Sequence, residues 1–234
     1  MSRDDVIVVG NWFDDGWRPN ARRSIAAIAR HWGLPVVELT TPIGHADNAF
    51  LEKLWLDRHC EAFGRVIWFD RDIVVRYDCP NLLDIVAASH VGCVSSHQAP
   101  RHIRDNARSF RPLFEAHQAT FDHEVDHLNT GVLVFDPRRH AGVFSEARRV
   151  AGAATGLPFF DESSLSLAIK RSGHRQLLDG SFNRCGIAEW PDFGPQMTDY
   201  IWHLCGCKSQ AVNARIDAVR WQSPQLPVRY RHGV

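Results

Sequence analysis

The sequence predicts an α/β fold with a mixed, mostly parallel sheet flanked by helices. Three short apolar runs alternate with two amphipathic segments within the first 70 residues. This βαβαβ order is typical of parallel strands whose connecting helices cover both faces of the sheet. The chain has 234 residues, and no linker or internal repeat divides it, so we expect a single domain spanning residues 1–234.

The first half of the chain supplies three strands and two helices. Strands are predicted at the apolar runs Val6–Gly10, Val36–Leu39 and 65–70. A helix is predicted to begin at Pro19 and to end before Gly33, because apolar residues recur there at helical spacing. A second helix is predicted after a cap at Asp47, with an inner side formed by Phe50, Leu51, Leu54 and Trp55.

The second half continues the same alternation less regularly. Strands are predicted near residues 91–95, 130–135 and 200–204, the last being the final strand, and helices near 138–150 and 162–172. Residues 97–127 carry many His and Arg side chains with little periodicity. They are predicted to be a surface excursion over one end of the sheet.

Composition excludes several classes of partner. The formal net charge is zero, so no global field attracts nucleic acid, and none is expected as a partner. No apolar run approaches the roughly 20 residues that span a bilayer, so no integral membrane segment is expected. The N-terminal residues do not resemble a signal peptide, and the six cysteines lack the spacing of a secreted disulfide framework. These features favour a cytoplasmic location.

The strongest local motif is Asp70-Arg71-Asp72, which follows an apolar strand and precedes another apolar run. Two carboxylates at a strand end can hold Mg²⁺ or Mn²⁺, which take carboxylate ligands together with substrate phosphates. Aspartates are also common in solvated turns for structural reasons alone. An apolar strand ending in this pattern is, in addition, the nucleophile motif of haloacid-dehalogenase-like phosphatases. The order of the motifs that follow in the chain distinguishes between a metal site, a structural turn and a phosphatase nucleophile.

Three further motifs follow in the chain. An Asn129-Thr130-Gly131 step stands just before an expected strand, Asp161-Glu162-Ser163 stands at a helix start, and His203 is followed by Gly206 and Lys208. In order and spacing, the four motifs resemble those of the retaining glycosyltransferases of family 8 over about residues 6–210. That family shows D-x-D, N-A-G-V-L, D-Q-D and H-x-x-G-x-x-K-P-W, on a nucleotide-sugar-binding fold called GT-A.

The resemblance implies a metal-dependent, hexosyltransferase-like enzyme. Its donor would be a nucleoside-diphosphate sugar, with a UDP-sugar as the first expectation. The resemblance does not specify the acceptor. The resemblance implies that the Mn²⁺ or Mg²⁺ ligands are Asp70, Asp72 and His203. It further implies donor contacts, with Asp70 also near the ribose, from Asn11, Lys53, Asp70, Asn129 and Lys208. Finally, it places two acidic residues around the donor sugar and the reacting carbon, Asp161 and Glu162.

The chain departs from the family pattern at two motifs. Glu162 stands where the family has Gln, and Ser163 replaces its last acid. The final motif is one residue shorter between His203 and Lys208, and it lacks the Pro-Trp pair. These departures leave retention, the acceptor and the reach of Lys208 open, and they mark the chain as a divergent relative.

Two alternatives to an active transferase are carried forward: a phosphatase using Asp70 and Asp72, and a nucleotide-sugar-binding protein without catalysis. A different metal chemistry is also available near the last strand. Cys205 and Cys207, with Cys185 and His203, are residue types that form tetrahedral zinc sites, although their spacing is not the usual one.

Overall fold

The computed structural model of the chain describes residues 4–12, 19–44, 48–96, 110–152, 160–185, 199–205 and 230–232. The strands in chain order are β1 Val6–Gly10, β2 Val36–Leu39, β3 Val66–Phe69, β4 Ile73–Val75, β5 Val91–Ser95, β6 Leu128–Phe135, β7 Arg175–Leu178, β8 Ile201–His203 and β9 Tyr230–His232. The helices are α1 Pro19–Trp32, α2 Ala49–Glu52, α3 Leu56–His59, α4 Leu82–Ile85, α5 Phe110–Ala116, α6 His123–Asp126, α7 Ala141–Ala151 and α8 Phe160–Ser172. Two 3-10 turns span Lys53–Trp55 and Gly180–Phe182.

Seven of the strands form one sheet in the order β7-β5-β6-β3-β1-β2-β9. All its neighbouring pairs are parallel except the two made by β6, which runs against β3 and β5. The predicted mixed, mostly parallel α/β fold is therefore confirmed. The other two strands, β4 and β8, form a separate antiparallel pair.

The two faces of the sheet bury two separate apolar clusters. Val6 and Val8 of β1 face one cluster, and Ile7 and Val9 face the other, because successive side chains of a strand point to opposite faces. Helices α7 and α8 cover the first face, and the apolar stripe of α1 covers the second. Helix α1 is followed by Gly33, whose φ of 68° is the left-handed conformation that favours glycine just after a helix end.

Helix α8 is held against the start of β6 by a buried ionic network. Asp126, which is fully buried, accepts hydrogen bonds from Lys170 Nζ at 2.6 Å and from Arg175 Nη1 at 2.5 Å. A buried carboxylate is tolerated because both oxygens are paired with cations. The network fixes the helix whose first turn carries two of the predicted site residues.

The structure corrects several predicted elements. The second helix is broken into α2, a 3-10 turn and α3, and Phe50 is 62% exposed instead of lying on the inner side. The predicted cap Asp47 lies outside the described residues. The described part of 97–127 forms α5 and α6, and Phe110 and Phe114 are buried against α8, so it is not a surface excursion. Helical spacing over this stretch was masked by its many polar residues.

Strand boundaries also differ from the prediction, most clearly where β6 begins. Strand β6 begins at Leu128, so Asn129 and Thr130 lie inside the strand and not before it. Strands β4, β7 and β9 were not predicted, and β9 follows the strand that was expected to be the last. Within the described residues, no helix is both long enough and apolar enough to cross a bilayer.

Candidate active site

The predicted site residues gather at the carboxyl end of β3. Asp70 directly follows this strand, and its backbone N–H donates to the Gly131 carbonyl at 2.9 Å, which extends the β3–β6 ladder by one residue. Asn129 and Thr130 lie beyond that point on antiparallel β6. Ligands of open α/β sheets bind at this edge, where the parallel strands end.

Two aspartates and one histidine converge there. The Nε2 atom of His203 lies 3.2 Å from Asp72 Oδ1 and 3.8 Å from Asp70 Oδ2. One ligand atom from each of the three residues lies within 4.8 Å of the other two. The β4–β8 pair produces this convergence, because His203 is aligned with Ile73 and the Leu204 N–H donates to the Asp72 carbonyl at 3.0 Å.

The imidazole of His203 is oriented by Asn129. The backbone N–H of Gly131 donates to Asn129 Oδ1 at 2.9 Å, and Nδ2 of Asn183 donates to the same oxygen at 2.8 Å. His203 Nδ1 lies 3.0 Å from this oxygen and therefore acts as a third donor. In a neutral imidazole, that tautomer leaves the lone pair of Nε2 facing the two aspartates. A Cβ at Gly131 would lie 2.4 Å from the His203 ring, so the strand needs glycine here.

The proton affinity of His203 reflects the same neighbours. Burial lowers the pKa of His203, but Cys205, Asp72 and Asp70 outweigh burial and raise the pKa to about 10. The imidazole is thus charged when protons alone occupy the site. Nε2 must give up its proton to bind a cation, as metal-binding histidines do.

A buried lysine joins the two acidic parts of the site. Lys53 Nζ lies 2.9 Å from Asp70 Oδ1, 3.1 Å from Thr130 Oγ1 and 4.0 Å from Asp161 Oδ2. Burial lowers the pKa of Lys53, but Asp70 and Asp161 outweigh burial and the net pKa is raised, so the ammonium stays charged. Trp68 donates from Nε1 to the same oxygen, Asp70 Oδ1, at 2.9 Å and helps to fix this carboxylate.

The first turn of α8 presents Asp161 and Glu162 to the site. Asp161 is buried next to Lys53, and Glu162 Oε1 accepts a hydrogen bond from Asn129 Nδ2 at 2.9 Å. Burial, together with the negative charge of Asp161, raises the pKa of Glu162 to about 8. Glu162 is therefore largely protonated at neutral pH, and its state changes in the range where enzymes commonly work.

The raised pKa of Glu162 predicts a pH-dependent stability. A carboxyl that ionises near pH 4.5 in the unfolded chain and near 8 in the folded chain stabilises the fold fully below pH 4.5, and this contribution is lost as the pH rises to about 8. We expect Glu162→Gln to gain about 4 kcal/mol of unfolding free energy, relative to the parent, between pH 5 and pH 8.5. Urea titrations at both pH values measure this.

The matched control for this measurement is Glu115→Gln, because Glu115 lies on the exposed side of α5. It should follow the parent protein at both pH values. A Glu162→Gln variant whose stability runs parallel to that of the parent from pH 5 to pH 8.5 would show that Glu162 is ionised in the fold.

The remaining predicted residues lie apart from this cluster or outside the described part. Asn11 follows β1 and donates to Glu38 Oε1 at 2.6 Å, while its buried Oδ1 has no hydrogen-bond partner among the described residues. The next residue, Trp12, stacks on Trp68 at 5.6 Å between ring centroids and packs against the first apolar cluster. Lys208 lies outside the described residues.

Sequence reasoning missed two residues that shape the site. Trp68 could have been found, because it precedes Asp70 by two positions and alternate strand residues share a face. Asn183, which binds Asn129, has no sequence signal, since a turn brings it back over β6 from 54 positions away. Both residues position groups that the motifs themselves supply.

Comparison with known proteins relates the fold to one class. No family model matches the chain, and no curated protein matches it. Among solved structures, the bifunctional glycosyltransferase WbbM, in its apo form, matches at TM-score 0.59 and 15% identity over 88% of this chain and 46% of that chain. This chain therefore spans about half the length of WbbM.

Two further structures match over nearly their whole length. A glycosyltransferase involved in the glycosylation of the major capsid of PBCV-1 matches at TM-score 0.57 and 14% identity, covering 92% of this chain and 98% of that one. The galactosyltransferase LgtC, in complex with donor and acceptor sugar analogs, matches at TM-score 0.56 and 14% identity, covering 95% and 97%. The fold is thus the GT-A fold of glycosyltransferases.

Proposed function

We propose that the chain is a metal-dependent glycosyltransferase that moves a sugar from a nucleoside-diphosphate sugar to an acceptor. The observation that carries the proposal is the convergence of Asp70, Asp72 and His203 at the ligand-binding edge of a GT-A sheet. Two carboxylate oxygens and one imidazole nitrogen suit Mn²⁺, and they leave coordination positions for substrate phosphates. A cation held there would neutralise charge developing on the departing diphosphate.

The chain's own groups prepare the site for that chemistry. Asn129 orients His203, and Lys53 holds Asp70 and Asp161 in place while balancing their charge. Such preorganisation places fixed charges where the transition state develops its own. In this proposal Asn129 also faces the donor sugar, Asn11 turns its unpaired Oδ1 to the base or ribose, and Lys208 contacts the diphosphate.

Asp161 and Glu162 are proposed to lie near the reacting sugar carbon. Glu162 is protonated in the resting site, so it can donate a hydrogen bond, and once ionised it can stabilise an oxocarbenium-like transition state or act as a nucleophile. Retention of the anomeric configuration is the outcome that the family resemblance supports. The phosphatase alternative is not favoured, because Asp70 follows the third strand of a GT-A sheet and is bound by Lys53 and Trp68.

A thermal-shift panel tests donor binding directly. UDP-, GDP-, CMP- and dTDP-sugars are added with and without Mn²⁺, and we expect a UDP-sugar to raise the unfolding midpoint only when Mn²⁺ is present. Release of the nucleotide from that donor then measures turnover. The anomeric configuration of the transferred sugar in the product shows whether the reaction proceeds with retention. Binding without any release would leave a nucleotide-sugar-binding protein, and no shift with any donor would contradict the proposal.

A further inference from the structure

A second group of metal-binding side chains lies on the other side of His203. Cys185, His203 and Cys205 each place one ligand atom within 4.8 Å of the other two. Cys185 and His203 are buried, Cys205 is partly buried, and neither cysteine is part of a disulfide. The proposed transferase chemistry does not use either sulfur atom.

The spacing of these atoms fits a tetrahedral zinc ion. Zinc binds thiolate sulfur at about 2.3 Å and imidazole nitrogen at about 2.0–2.1 Å, so tetrahedral angles place the two ligand atoms about 3.6 Å apart. The distance between Cys185 Sγ and His203 Nδ1 is 3.6 Å. Two thiolates and an imidazole are soft and borderline ligands, which favour Zn²⁺ over Mg²⁺ or Mn²⁺.

We propose that Cys185, His203 and Cys205 form a zinc site whose occupation prevents the same histidine from serving the Asp70–Asp72 cation site. On binding, each cysteine coordinates as a thiolate and His203 as a neutral imidazole, and the protons that these groups held, including the one on Nδ1, are released to solvent. His203 coordinates through Nδ1, and the fourth position is open. Zinc is accordingly an inhibitor of the proposed transferase, although the zinc site itself does not depend on that function.

The hydrogen bonds around His203 make the two sites mutually exclusive. With Nδ1 on zinc, Nε2 carries the proton and donates it to Asp72 Oδ1, 3.2 Å away, in a carboxylate–histidine–zinc arrangement. Asn129 Oδ1 then still accepts from Gly131 and Asn183, so it is not left unsatisfied. A cation at Nε2 requires the opposite tautomer, with Nδ1–H donating to Asn129.

Cobalt substitution tests the zinc site without reference to activity. Metal-free protein in a non-thiol reductant is titrated with Co²⁺, and we expect one equivalent to give thiolate-to-cobalt charge-transfer absorption that Zn²⁺ abolishes. Cys185→Ala and Cys205→Ala should each weaken Co²⁺ and Zn²⁺ binding by at least about tenfold and remove most of that absorption. Cys79→Ala and Cys93→Ala, at buried thiols outside the cluster, should retain it.

Thermal unfolding of each variant shows whether it is folded before its metal affinity is compared. Absence of charge-transfer absorption in the parent protein, or its persistence in folded Cys185→Ala, would overturn the site. These results stand even if the protein transfers no sugar. Where sugar transfer is measured, one equivalent of zinc should inhibit the parent protein but not Cys185→Ala. Equal inhibition of both proteins would refute the proposal that zinc prevents a cation from binding at Asp70 and Asp72.

Discussion

Replacing Asp72 with Asn should lower Mn²⁺-dependent release of nucleotide from the donor by at least about 100-fold. The substitution removes one of two anionic ligands while keeping the shape of the side chain, and a neutral amide is a far weaker ligand for a hard cation. Asp72 is the cleaner of the two aspartates to change, because Asp70 also carries the contacts to Lys53 and Trp68. Initial rates at several Mn²⁺ concentrations measure the effect.

A matched control exists in the same part of the chain. Asp78→Asn changes an aspartate on the turn after β4, where the carboxylate is 41% exposed and pairs with Arg76. It should retain the parent rate and the parent requirement for Mn²⁺. If Asp72→Asn keeps both as well, the Asp70–Asp72–His203 group is not a catalytic cation site.

The largest effect on stability is expected from Lys53→Met. The ammonium is buried between Asp70 and Asp161, and removing it leaves Asp161 as an uncompensated charge in the interior. Breaking a buried ion pair in this way typically costs about 3–5 kcal/mol of unfolding free energy. Urea denaturation at neutral pH gives the value, together with the slope that reports whether unfolding stays two-state.

The double variant Lys53→Met/Asp161→Asn separates the effect of Asp161 from that of the other partners of Lys53. When the stranded carboxylate is replaced by an amide, most of the loss should be recovered, because the two substitutions affect one interaction. A double variant as unstable as Lys53→Met would mean that the loss comes from the contacts of Lys53 with Asp70 and Thr130, and not from the stranded Asp161.

Much of the fold was predictable because its signals are local. Strands β1 and β3 are continuous apolar runs, β2 is one except for Glu38, and α1 has a regular apolar stripe, so both the elements and the parallel sheet followed from short windows of sequence. The convergence of Asp70, Asp72 and His203 was expected from a different source, namely the order of four short motifs. Each motif alone would have been consistent with an ordinary turn or strand end.

The unpredicted parts depend on partners distant in sequence. Strand β4 has only three residues, and it forms by pairing with β8, which is distant in sequence. The pairing that brings His203 close to Asp72 could therefore not be predicted from the sequence. Phe50 was expected inside because helical spacing was extended across a segment that actually breaks into three short turns of helix. The raised pKa of Glu162 depends on burial and on Asp161, and burial at a helix start cannot be read from composition.

The parallel pairing of β9 with β2 has a consequence for how the chain matures during synthesis. Val36 is aligned with Tyr230, so the outer edge of β2 lacks this neighbour until residue 230 has left the ribosome. Unpaired strand edges bind other chains, and domains generally form from the N-terminal side first. The edge of β2 is therefore without its β9 partner while the residues between the two strands are synthesised, and aggregation competes with folding during that interval.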